Sequence, residues 1–156
     1  MLGVGAFFIL GTKLKKALSN VREIDWARLA AFIDGEGTVR VYKAPTGRWG
    51  LRVVISNTDI RLISWLEETF GGYVYNVKPS TGNTKPSFQW IFASRIDLIL
   101  APCLPYFIIK RDQAEIALAF CRTNVISRIR SKKEEVSKTR EELKSKLLVI
   151  QKRGAA

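Results

Sequence analysis

The stretch LAAFIDGEG, residues 29–37, begins like a helix and ends unlike one. Leu29, Phe32 and Ile33 fall at helical spacing among small residues. Asp34 and Glu36 then arrive interleaved with Gly35 and Gly37. A helix C-terminus already carries partial negative charge, so carboxylates there are unfavourable unless something offsets them. A bound cation is one candidate.

Working outward, Asp25 reads as the N-cap of a helix from Trp26 to about Asp34, which Gly35 and Gly37 terminate. TVRVYK (38–43) alternates, APTGRWG (44–50) carries turn residues, and LRVVISN (51–57) is strand-like, so a hairpin is predicted. TDIRLISWLEETFGG (58–72) places Ile60, Ile63, Leu66 and Phe70 on one helical face, with Gly71 and Gly72 as the stop. A second hairpin follows: YVYNVK (73–78), a polar turn (79–86), and SFQWIFA (87–93). Residues 95–101 and 111–122 read as helices around the proline-containing PCLPYF. The order α-β-β-α-β-β-α-α predicts an α+β fold with a four-stranded antiparallel sheet. The two hairpins resemble a weak internal repeat.

The chain of 156 residues suits one domain with a real core. Its charge is unusual: 26 Lys/Arg against 14 Asp/Glu leaves +12, which points to a polyanionic partner, usually nucleic acid. From Arg122 to Arg153 there are eleven Lys/Arg and four Asp/Glu, a net of +7, with i,i+4 pairs Glu134–Lys138 and Glu142–Lys146. That tail reads as a basic helix suited to a DNA backbone. The absence of histidine removes Ser–His and Cys–His nucleophiles and His-ligated zinc. Hydrolysis would have to rest on carboxylates, amides and Lys/Arg. Cys103 and Cys121 fit neither a zinc pattern nor a disulfide framework and read as buried free thiols. The apolar run 2–11 is too short to span a bilayer and reads as a packed N-terminal segment. The organisation expected is an extension over 1–24, a core over 25–122, and a basic helical tail over 123–156 belonging to the same domain.

LAAFIDGEG resembles the defining motif of the LAGLIDADG homing endonucleases. Leu29, Ala30, Ile33, Asp34 and Gly37 match the name letter for letter, and Glu36 replaces its second acid conservatively. Ala31 departs from the motif, adding a methyl where the name has Gly. SNTDIRLISWLEETFGG (56–72) and LPYFIIKRDQAEI (104–116) resemble the family's later segments in order and spacing. The resemblance implies an αββαββα core with extra C-terminal helices, and motif helices of two domains packed side by side with their C-terminal ends toward DNA. It further implies Glu36 and the Gly35 carbonyl as ligands of Mg2+, for which Mn2+ can substitute. Asn57 would order water, and Arg61 and Lys110 would stand near the scissile phosphate. With Glu36, these three form the implied catalytic set. Asp34 is implied to be more structural, bonding around the helix end.

The resemblance also puts the concave sheet face over double-stranded DNA. Alternation then selects Arg40, Tyr42, Arg52, Val54, Tyr75, Gln89 and Ile91, with Arg48, Trp49 and Lys85 reaching from turns. A single motif implies a homodimer on a long, near-palindromic site, with Trp26, Leu29, Ala30, Ile33 and Asp34 as candidate interface residues. The function implied is a site-specific, divalent-metal-dependent DNA endonuclease that promotes intron or intein mobility. The alternatives are a maturase that binds intron RNA and a non-cleaving DNA-binding regulator. Neither a membrane nor a small-molecule substrate is expected. The chain should work inside a cell, with organelle and microbial cytoplasm undecided.

Overall fold

A computed structural model describes residues 14–79, 85–126 and 132–154. The apolar run 2–11, the centre of the second hairpin turn (80–84) and residues 127–131 of the basic tail lie outside the described residues. After a helical turn at 14–18, the elements are α1 (Glu23–Glu36), β1 (Gly37–Lys43), β2 (Trp49–Asn57), α2 (Ile60–Phe70), β3 (Tyr73–Val77), β4 (Ser87–Phe92), α3 (Asp97–Cys103), a 3-10 turn (Leu104–Tyr106), α4 (Arg111–Ile126) and α5 (Lys133–Gly154). The sheet is fully antiparallel in the order β1-β2-β4-β3. The hairpins therefore meet through β2 and β4 at the centre. α3 runs through Pro102 to Cys103, two residues past the predicted stop. α4 extends to Ile126, across the expected core boundary at 122.

The motif helix α1 is longer than its sequence signals suggest. Arg22, not Asp25, occupies the cap position, and it makes no side-chain cap. Asp25 lies in the first turn, 5% exposed, accepting from Arg22 at 2.8 Å and Arg28 at 3.2 Å. Those guanidinium bonds hold its carboxyl below the ordinary value. An acid beside the positive helix end is favourable in either place, which is why the sequence could not separate them.

One sheet face is covered by helices. Val39, Val41, Leu51, Val53, Ile55, Trp90 and Phe92 alternate inward onto Leu29, Ala30 and Ile33 of α1, Ile63, Leu66 and Phe70 of α2, and Ala114, Ala117 and Phe120 of α4. Phe70 sits at the centre, with ring centroids 5.2 Å from Trp26, 5.6 Å from Trp65 and 6.4 Å from Trp90. Each such pair adds about 0.5–1.5 kcal/mol beyond its burial. Gly71, with φ of 75°, ends α2, and its carbonyl accepts from Trp90 Nε1 at 2.6 Å. α5 packs on α4 through buried Leu147 and lies beside the edge strand β1. Gln151 donates to the Val39 carbonyl at 2.7 Å, and Lys43 pairs with Glu141 at 3.1 Å. No helix among the described residues is long and apolar enough to cross a membrane.

Candidate active site

The C-terminal end of α1 is where the two motif acids part company. The Asp34 carboxylate accepts three backbone N–H bonds, from Ile108 at 2.8 Å, Ile109 at 3.3 Å and Lys110 at 2.8 Å. It thereby clamps the segment leading into α4 against the motif helix. Lys110 returns its ammonium to the same helix end, donating to the Ile33 and Gly37 carbonyls at 2.7 Å each. These groups lie at the negative end of the dipole, where a cation is stabilising. Burial lowers the Lys110 pKa, and the Asp34 charge opposes that shift. The compensation that the sequence demanded for its acids is thus supplied in part by a lysine 76 residues from Asp34.

Glu36 is exposed. Its carboxylate accepts from Asn57 Nδ2 at 2.6 Å. Asn57 stands at the end of β2, and its Oδ1 accepts from the Asp59 N–H at 2.7 Å, an Asx turn that fixes which side of the amide faces Glu36. Asp59 caps α2 by accepting from the Arg61 N–H at 2.9 Å and pairs with the Arg61 guanidinium at 2.6 Å. The Arg61 hydrogen bonds lower the Asp59 pKa to about 2. Arg61 itself remains largely in solvent. A continuous chain of contacts therefore links Glu36, Asn57, Asp59 and Arg61. Among the described residues, no group of three or more His, Cys, Asp and Glu side chains gathers as a metal cage. Burial raises the Cys103 thiol to about 12 and the Cys121 thiol to about 11, so both are poor nucleophiles.

Three of the proposed interface residues need correction. Leu29, Ala30 and Ile33 are 0% exposed within one chain, so they form its core and have no surface for a partner. Trp26 is half-buried against Phe70, and Asp34 is engaged by the 108–110 backbone. The side of α1 that reaches solvent carries Ile24, Arg28, Ala31 and Gly35, with Ala27 half-buried beside them. This is a spacing of three to four residues, legible in the sequence once the buried face is known.

On the sheet, Arg40 lies opposite Arg52, Tyr42 opposite Gly50, Val54 between Thr38 and Ile91, and Gln89 between Ser56 and Tyr75. All of these are on the side away from the helices, the side that strand alternation selected. Trp49 is a second correction. It belongs to β2 and shares the parity of Leu51 and Val53, with its ring 5.9 Å from Phe120 and the Lys43 ammonium 5.1 Å above it. An aromatic next to a turn packed inward because α4 offered it a ring. Arg48 stays in the first hairpin turn, and Lys85 is exposed just before β4.

No family model and no curated protein matches the chain. Solved structures do. The homing endonuclease I-CvuI in complex with its target aligns with a TM-score of 0.66 at 16% identity, over 82% of each chain. The archaeal intron-encoded homing endonuclease I-Vdi141I, complexed with DNA, aligns at 0.52 and 13% identity over 86% of this chain and 99% of its own. The I-SmaMI LAGLIDADG homing endonuclease bound to uncleaveable DNA aligns at 0.59 and 22% identity over 78% of this chain, which spans 44% of that one. The chain has the LAGLIDADG homing endonuclease fold. Its αββαββα core runs from α1 to α3, with α4 and α5 as further C-terminal helices, and LAAFIDGEG forms the second half of α1 and the first residue of β1. Asp34 was implied to bond around the helix end, but its partners in the 108–110 backbone and the helix cap made by Lys110 escaped the sequence. Both join residues more than 70 positions apart, and no local pattern encodes such a contact.

Proposed function

We propose that the protein is a site-specific double-strand DNA endonuclease that hydrolyses phosphodiester bonds with a divalent metal and acts as a homodimer in intron or intein mobility. The observation that carries the reading is Glu36: an exposed carboxylate at the end of the motif helix, met by the Asn57 amide at 2.6 Å. It stands in a fold shared with proteins that were crystallised on DNA targets.

The donor set fits a hard cation. One carboxylate per chain, with the adjoining Gly35 carbonyl, suits Mg2+, which keeps several waters and fills its shell with phosphate oxygens instead of a protein cage. When bound, the ion would polarise a phosphate oxygen and acidify a water. The chain's own residues supply the rest. Asn57, held by its Asx turn, orients the Glu36 carboxylate. Lys110 has three donors and spends two on the Ile33 and Gly37 carbonyls, which leaves one for a phosphate oxygen. Arg61, paired on one side by Asp59, offers charge to the phosphate that departs from or approaches the site.

The homodimer draws support from Gly35. A Cβ there would meet nothing within 4 Å, so the chain's own packing does not require glycine. A helical glycine costs about 1 kcal/mol relative to alanine. Close approach of a second motif helix along Ala27, Ala31 and Gly35 gives that cost a purpose.

The test is a cleavage selection on a randomised duplex library with Mg2+, run with the wild type and Glu36→Gln. Near-palindromic sites cut by the wild type alone are expected. Equal cutting by both would remove Glu36 from the reaction.

A further inference from the structure

The open side of the sheet carries a group whose geometry is more specific than a basic surface. Arg40 and Arg52 are direct cross-strand partners. Like charges placed opposite one another weaken a sheet. No compensating acid is available there, since none of the four strands contains Asp or Glu. Arg52 is also held in place. Its guanidinium carbon lies 5.3 Å from the centre of the Tyr42 ring, within cation–π range. Tyr42 in turn lies across β2 at Gly50, its cross-strand partner, where any Cβ would run into the ring. Arg52 Nε is sealed from solvent and has no hydrogen-bond partner. Nη1 and Nη2 are the donors left for a ligand. An arginine this constrained has already lost the rotamer freedom that binding would cost.

We propose that Gly50, Tyr42 and Arg52 form a braced guanine-reading site, in which the Arg52 guanidinium donates a paired hydrogen bond to O6 and N7 of one guanine in each half of the DNA target. Arg40 supplies the neighbouring positive charge. Guanine is favoured over a phosphate because both arginines sit mid-strand in an antiparallel ribbon, the element that enters the major groove, and because a braced, planar fork matches the two acceptors of guanine. Tyr42 and Gly50 act through Arg52 and are positioning residues. This inference rests on the DNA-cleaving reading and deepens it.

The experiment is a binding selection of the full chain on a randomised duplex library at two salt concentrations, with the wild type, Arg52→Lys and Gly50→Ala. In the wild-type sites one G·C pair per half is expected to be fixed. Arg52→Lys keeps the charge but not the fork, so preference at that pair should fall by about tenfold or more, with other positions unchanged. Gly50→Ala displaces the Tyr42 ring and so removes the brace, while leaving the Arg52 side chain itself unaltered. It should relax the same pair and no other, with a thermal midpoint close to that of the wild type. An unchanged guanine preference in Arg52→Lys overturns the proposal. So does a loss of affinity that is uniform across sequences at both salt concentrations, which would make Arg52 a phosphate contact. Either of these leaves the endonuclease reading standing. A wild type that enriches no sequence overturns both.

Discussion

The two ends of helix α1 use the same residue types and treat them differently. At the N-terminal end, Asp25 is buried, bonded to Arg22 and Arg28, and aligned with the helix dipole, while Glu23 takes the Tyr106 hydroxyl at 2.7 Å. At the C-terminal end, Asp34 is satisfied by the backbone N–H groups of Ile108, Ile109 and Lys110, yet Glu36 two residues on keeps one amide partner and faces solvent. The first end is closed electrostatically within the chain. The second is closed everywhere except at one carboxylate. On the proposed function, that exposed carboxylate is the point at which a bound cation would complete the helix end.

The sharpest way to break that contrast is to neutralise both C-terminal acids in turn. Glu36→Gln should lower the cleavage rate by about a thousandfold, measured on a defined duplex site, and leave the thermal midpoint within about 2 °C. Asp34→Ala should do the reverse in kind. Releasing three charge-assisted bonds and the 108–110 segment should cost about 2–4 kcal/mol in a denaturant titration. If Asp34→Ala unfolds no more easily than the wild type, the clamp is not holding the helix end. Lys110→Met should fall between them, losing about 1–2 kcal/mol of stability with a loss of cutting, because it uncovers the Ile33 and Gly37 carbonyls. Ala31→Leu should leave folding intact and weaken self-association at least tenfold by sedimentation, since its side chain points into solvent within one chain.

The smallest expected effect concerns Asp59. Its pKa falls from 3.8 to about 2 in the folded chain, so its stabilisation is fully present above about pH 4 and is lost as pH drops toward 2. The wild type should therefore lose more thermal stability between pH 5 and pH 2.5 than Asp59→Asn. Parallel losses would show that the Arg61 pair, which lies at the surface, contributes nothing measurable.

Periodicity was enough to read the hairpins, their faces and the central helices, because alternation in 38–43, 51–57 and 87–93 is set by burial on one side only. It could not decide which face of α1 is the core. LAAFIDGEG is apolar or small nearly all round, and both Ala30 (buried) and Ala31 (exposed) fit either face. The site divides in the same way. Glu36 was legible as a carboxylate in a position that local physics disfavours. The lysine that offsets the helix end was legible only by resemblance, and its bonds to Ile33 and Gly37 were not legible at all. Trp49 shows the general reason: its partner Phe120 is 71 residues away, and only the folded sheet brings them together.

The placement of α5 beside β1 has a consequence outside catalysis. β1 is a seven-residue edge with alternating valines, the kind of strand that recruits a second chain by backbone pairing. Gln151 takes up the Val39 carbonyl on that edge, and the Glu141–Lys43 ion pair ties α5 to the strand's C-terminal end. Peeling α5 away would bare that edge as a template for strand addition, so the basic helix also covers a strand that could otherwise pair with another chain.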